Sequence, residues 1–212
     1  MLTAMKKRRA LSESKTPYHH GDLKEALVAA ALRLVDKKGV YGFTMNEACR
    51  IAQVSNAAPY RHFQDKDALL AELARRGFIE FNQALLLSPK NATRGSTERL
   101  REMGHAYLHF AFDHHAQYQV MFGWRGRLNQ FPELDAEARQ AFAQLVNCVE
   151  ECISAKTILS DNAMISSMII WSSLHGLVKL ILDGIVSHNN ALLKPAPFQV
   201  FDELIDKLRV QQ

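Results

Sequence analysis

Between Thr44 and Lys66 the chain collects side chains suited to hydrogen bonding with the edges and backbone of a nucleic acid. Asn56 carries an amide that can pair bidentately with adenine. The small residues Ser55 and Ala57 beside it let a backbone approach base edges closely. On a helix beginning at Ser55 or Asn56, Asn56, Ala57, Tyr60 and Arg61 share one side, and Phe63 falls where a core anchor belongs. That outward side is small, polar and basic, which suits a groove better than a protein interior. Bond-making chemistry has no comparable set. The sequence has no Gly-x-Ser-x-Gly, no Gly-rich loop after a strand, and no Cys-His or Ser-His-Asp arrangement that spacing can defend.

A second group lies further on. His105, Tyr107, His109, Phe110, Phe112, His114 and His115 sit in one helical stretch, followed by Tyr118, Met121, Phe122 and Trp124, with Trp171 and His175 downstream. Aromatic and polarisable side chains of this kind build either a core or a pocket between helices. As a group they predict a site for a small, largely apolar or aromatic effector, with His105, His109, Phe112, Tyr118, Met121, Phe122, Trp171 and His175 as candidate contacts. His105 and His109, four apart, would need a third metal ligand, for which His114 and Cys148 are candidates. No metal and no cofactor is expected. The three cysteines, Cys49, Cys148 and Cys152, form no disulfide framework and read as packed thiols, a redox pair at 148 and 152 being the alternative.

The elements that must position these residues are helices throughout. Asp22 with Glu25, and Thr44 with Glu47, have capping-box spacing. The first predicts a helix with Leu23, Leu27, Ala30, Ala31, Leu34 and Val35 inward, stopping at Gly39. The second predicts a two-turn helix through Ile51 and Ala52, with Cys49 and Ile51 facing the first. The next helix cannot begin much before Ser55, because Pro59 tolerates only a first turn. Asp65 caps a long helix with a stripe of Leu69, Leu70, Leu73, Phe78, Phe81, Leu85 and Leu86, ending near Pro89. Residues 88–96 have linker composition. Helices then follow over 97–115, 117–122, 132–156, 161–188 and 198–210, with no alternation that would make a hairpin.

Phe43-Thr44, Val54-Ser55, Tyr60-Arg61-His62-Phe63, Lys66 and Leu69-Leu70 resemble the TetR family of transcriptional regulators. Tyr18-His19-His20-Gly21-Asp22-Leu23 and Gly39 extend the resemblance over residues 18–81. Gln53 departs from it, since the family most often has Gly in the turn, and a non-Gly residue at positive φ is mildly strained. Trp171, Leu174, His175 and Gly176 resemble the Trp-His-Gly type of C-terminal ligand-binding domain in the same family. The resemblance implies an all-α protein with a flexible basic arm (1–17), a helix-turn-helix DNA-binding domain (18–81) and a helical effector-binding and dimerisation domain (82–212). It implies phosphate contacts from Thr44, Tyr60, His62 and Lys66. Base-edge contacts are expected from Asn46, Asn56, Ala57 and Arg61, with Ser55 beside them and Met45 touching a thymine methyl. It further implies a homodimer on a palindromic double-stranded operator, its heads about one helical turn apart. A small molecule in the C-terminal domain would release it by shifting the connecting helix 66–86. No catalytic residue is expected.

Composition agrees with that picture. At 212 residues and 48% hydrophobic content the chain can bury a real core. Residues 1–64 carry 11 Lys and Arg against 5 Asp and Glu, whereas residues 65–212 carry 15 against 17, so basic charge gathers at the reading end. The richest apolar segment, 165–185, is interrupted by serines, His175, Lys179 and Asp183 and predicts no membrane span. The basic N-terminus lacks the apolar stretch of a secretory signal, so a cytoplasmic location is expected. The competing reading is a small-molecule or metal sensor, or a helical enzyme, without specific DNA binding.

Overall fold

The computed structural model describes residues 20–88, 92–124, 130–186 and 197–210. The arm 1–17, the Tyr18-His19 pair and the side chains of residues 20–22 lie outside that set. Among the described residues eight α-helices run in order: α1 (His20–Lys38), α2 (Met45–Ile51), α3 (Lys66–Leu87), α4 (Thr97–Asp113), α5 (His115–Gly123), α6 (Pro132–Ser154), α7 (Ala163–Leu182) and α8 (Pro197–Leu208). A 3-10 turn, Pro59–Arg61, stands between α2 and α3. No strand occurs among the described residues; the sole extended pairing there is an isolated bridge from Ile158 to Arg209.

α3 is the spine. Leu69, Leu70, Leu73, Phe78, Phe81 and Leu85 are buried along it, as the periodicity predicts. Leu86 is not: it falls off the stripe and is 58% exposed, and Leu87 beyond it is exposed too. The amino-terminal part of α3 packs on α1, and the rest on α4, α5 and α6, so one helix belongs to both the small N-terminal head and the larger bundle. Asn82, buried on this spine, donates to the main-chain and side-chain oxygens of Glu137 (3.1 and 3.0 Å) and accepts from Gln144 (3.0 Å). Those bonds satisfy its amide and fix α3 against α6.

Several boundaries move from their expected places for local reasons. α1 begins at His20, which puts Asp22 inside its first turn rather than at the cap. α4 and α5 are nearly continuous, separated only where His114 (φ −117°, ψ 43°) leaves helical geometry, so α5 starts at His115 and not at Gln117. α7 is capped by Asn162, whose side chain accepts from the Ile165 amide at 3.0 Å, so it starts at Ala163 and not at residue 161. It ends at Leu182, because Gly184 takes φ +72° and turns the chain. α7 is long and apolar enough by composition to cross a membrane, with mean hydropathy 1.5. Only 28% of that stretch is buried, so one side packs on the bundle and the other stands open.

Candidate DNA-reading head and effector cavity

The head is built from short elements pinned at both ends. Gly39 closes α1 at φ +74°, the left-handed conformation that makes Gly the fitting stop there. Thr44 caps α2 with a reciprocal capping box: its hydroxyl oxygen accepts from the Glu47 amide at 3.3 Å, and its own amide donates to Glu47 Oε2 at 2.8 Å. Lys38 Nζ lies 2.5 Å from Glu47 Oε1 and ties the end of α1 to α2. Those bonds, the Lys38 contact first and the Thr44 amide second, bring the Glu47 carboxyl down to about 2. Gln53 takes φ +56°, the strained turn geometry that its departure from Gly predicts.

After Gln53 the expected helix does not form. The Ala58 amide donates to Ser55 O (3.0 Å), Arg61 to Ala58 O (3.3 Å) and His62 to Pro59 O (2.8 Å), all three-residue steps; only Phe63 to Pro59 O (2.9 Å) spans four. The cause is Pro59, which has no N–H to give Ser55 O and leaves that acceptor to Ala58. The turn is held from beneath instead, with Pro59 and Phe63 both buried. Ser55, Asn56, Ala57, Tyr60, Arg61 and His62 are exposed above them, and Asn46 is exposed on α2.

Two expected contacts are corrected by their surroundings. Met45 is 8% exposed and belongs to the core of the head, so its methyl cannot reach a base. Lys66 turns inward: its ammonium donates to Phe43 O at 2.6 Å and Tyr41 O at 3.3 Å, over the Phe43 ring at 4.1 Å. Burial draws its pKa down, opposed by Asp67 and Glu47. In this position it clamps the α1–α2 loop to the start of α3. Ile51 also reverses expectation, being 39% exposed, while Cys49 is buried as predicted.

In the bundle the aromatic group divides. Tyr118, Phe122 and His175 converge on a cavity of about 240 Å³. Its remaining walls come from Gln119 and Gly123 on α5, from Lys179, Leu182 and Asp183 at the end of α7, and from Gly39, Val40 and Tyr41 in the α1–α2 loop. No residue of α3 lines it. Behind the cavity, Tyr118 Oη lies 2.8 Å from both Tyr107 Oη and His175 Nδ1, with Tyr107 Oη 3.1 Å from the same nitrogen. Burial pushes both tyrosines well above the ordinary phenol range, so their protons stay on. Burial first, and Lys179 second, lower the pKa of His175, which keeps it neutral. The two hydroxyl protons both find acceptors only if one tyrosine donates to the other and the second donates to Nδ1, which makes that nitrogen the acceptor and puts the ring proton on Nε2.

The other candidates go elsewhere. Trp171 is half-buried against the core, edge-on to Tyr107 (5.5 Å) and Phe81 (6.2 Å). Met121 is 7% exposed and seated over Gly77 of α3, where an added Cβ would come within 2.7 Å of its sulfur. His105 is bound to Asp202 of α8 at 2.8 Å, and His109, largely exposed, rests on Phe198 at 4.8 Å. Phe112 borders a separate surface groove beside Leu32 and Arg33. The three from α4 were legible as helical aromatics but point away from the cavity, because α4 presents different faces to α5, α7 and α8. The residues that spacing missed, Gly39 to Tyr41, are 70 or more positions from Tyr118 and come together only in three dimensions. His114 stacks on Phe110 (4.8 Å), and Cys148 is buried on α6, so neither joins the histidine pair. No cluster of three or more His, Cys, Asp or Glu that could hold a metal occurs among the described residues. All three cysteines are buried and unbridged.

Family models match both halves of the chain: residues 27–73 match bacterial regulatory proteins of the tetR family, and residues 100–208 match the tetracyclin repressor-like C-terminal domain. The chain belongs to the TetR family. A protein of unknown function from Rhodococcus sp. RHA1 is similar over 91% of this chain and 96% of its own, with 28% identity and a TM-score of 0.76. A tetR-family regulatory protein from Rhodococcus RHA1 shares the fold at TM-score 0.71 and 15% identity, over 90% and 98% of the two chains. AibR in complex with isovaleryl coenzyme A and operator DNA does so at TM-score 0.65 and 18% identity, over 88% and 97%. Comparison with curated proteins finds no match. As a TetR-family member the chain is a DNA-binding transcriptional regulator with a ligand-binding C-terminal domain, and not an enzyme.

Proposed function

We propose that this TetR-family regulator is a cytoplasmic homodimeric repressor that leaves a palindromic operator when a small molecule binds. The observation that carries the DNA half is the exposed set Asn46, Ser55, Asn56, Ala57, Tyr60, Arg61 and His62, held up by buried Pro59 and Phe63. Asn56, with Asn46, Ala57 and Arg61 beside it, reads base edges; Tyr60 and His62, with the Thr44 hydroxyl, meet phosphate. The head, with a boundary near residue 81, is the DNA-binding domain, and the C-terminal bundle carries effector binding and dimerisation. AibR, a relative in fold, is known with both isovaleryl coenzyme A and operator DNA, which supports pairing the two ligand classes in one chain.

The dimer rests on the open side of α7. Met164, Ile165, Met168 and Ile169 are 54, 58, 53 and 48% exposed. Ser172 and Ser173 on that stretch both donate back to Ile169 O (3.1 and 2.7 Å), so their hydroxyls can be covered without losing a partner. Gly176 has nothing within 4 Å of an added Cβ. Leu174 and Val178 of the same helix turn inward and are core. An apolar helix side of this kind fits a second copy of itself around a two-fold axis.

Sequencing of genomic fragments retained by the purified protein would yield the operator. A palindrome bound with steep salt dependence supports the reading; indifference to every duplex at low ionic strength removes it.

A further inference from the structure

The cavity stands at an unexpected place for the release step. One of its walls is the Gly39–Tyr41 segment, part of the head, and α3 contributes nothing to it. That same loop leads through Phe43 into the Thr44 cap of α2, and its carbonyls at Tyr41 and Phe43 are the two that Lys66 Nζ holds. A molecule wedged between α5, α7 and this loop would therefore press on the reading head directly, one clamp away from the first residue of α3.

The lining also limits what can enter. Phe122 and Tyr118 offer ring faces, and His175 offers an Nε2–H donor that no described group takes up. Lys179, the cation at the rim, is already paired with Asp183 at 2.7 Å, so no uncompensated positive charge waits for an anion. We infer that the cleft between head and bundle takes a small uncharged aromatic molecule bearing a hydrogen-bond acceptor, and that its occupancy weakens DNA binding by displacing the α1–α2 loop from its Lys66 clamp at the foot of α3 rather than by shifting the length of that helix. This inference rests on the regulator reading for its consequence on DNA, but not for the ligand class.

Gly123 supplies the test, because a Cβ there would meet only Val40 Cγ2, at 3.9 Å. Gly123→Leu fills the cleft without a backbone clash, and Leu182→Trp does so from the opposite wall if the first variant unfolds. Saturation-transfer NMR with benzamide as probe should give a signal on the wild type that either variant abolishes. Silence from benzamide, a signal that persists in the filled variants, or an equal signal from benzoate each overturns the ligand assignment. Operator affinity of the filled variant should fall by about tenfold, within the usual span of allosteric coupling, and by less than about threefold when Lys66→Gln has already opened the clamp. Unchanged affinity on filling, or the same loss in both backgrounds, overturns the route through the loop. A wild type that binds no operator while still giving the benzamide signal would sink the regulator reading and leave the pocket standing.

Discussion

At the scale of single residues, two positions in the head carry opposite energetic signs. Gln53 holds φ +56° in the α2 turn, where a side chain is unfavourable and a glycine is not. Gln53→Gly should therefore stabilise the protein by about 0.5–1 kcal/mol, the strain relief being partly cancelled by the looser unfolded chain. A raised midpoint in urea titration checks it. Glu72 is the reverse case. It is bound by Arg75 (2.9 Å), Lys24 (2.9 Å) and Arg76 (2.9 Å). Burial pushes its carboxyl up, but the hydrogen bonds from those three cations outweigh burial and bring it to about 2. A carboxyl lowered on folding stabilises the native state above its unfolded value near 4.5, and that contribution fades as pH falls through 2. Glu72→Gln should cost about 2 kcal/mol at pH 7, a hydrogen-bonded charge being lost, and the gap to wild type should close as unfolding is measured toward pH 2. Gln53's strain was readable from one departure in a motif. The partners of Glu72 were only half so: Arg75 and Arg76 are its helix neighbours, whereas Lys24 comes from α1.

At the scale of elements, the sequence period foretold which side of α1 and α3 is buried, because a fixed 3.6-residue repeat maps directly onto a face. It failed where one residue overrides the repeat. Pro59 withholds one amide and converts an expected recognition helix into a 3-10 turn, while leaving the same side chains exposed. It failed again where a helix has several neighbours, as α4 does: periodicity marks its aromatics as packed but cannot say against which partner. α4 and α8 show how close such packing becomes. Gly104 lies directly under the Phe201 ring, which would overlap an added Cβ. Gly104→Ala should destabilise the protein by about 1–3 kcal/mol through overpacking, whereas the exposed change Glu203→Ala on α8 should cost far less. Thermal unfolding of the two variants side by side tests the difference.

At the scale of the molecule, the open apolar side of α7 sets the expectation for assembly. Ile165→Glu with Ile169→Glu places two carboxylates on the surface proposed for the second copy, while both positions face away from the bundle. The double variant should sediment as a monomer with helix content intact and lose operator affinity by at least about tenfold, since only one head then meets the duplex. A dimer that persists in sedimentation assigns the contact to another surface. The cavity belongs to this scale too, which is why its loop wall escaped the sequence: helix patterns report local faces, and this wall is made where the α1–α2 loop meets α5 and α7.

The turn that ends at Phe63 has a calorimetric corollary. Its backbone is closed by one four-residue bond and a few shorter ones, so little of its order comes from within and most from Pro59 and Phe63 beneath it. A duplex that grips the exposed amides and side chains would finish ordering this segment on contact. Association should then carry an unfavourable ordering entropy and a more negative heat-capacity change than the contact area alone would give.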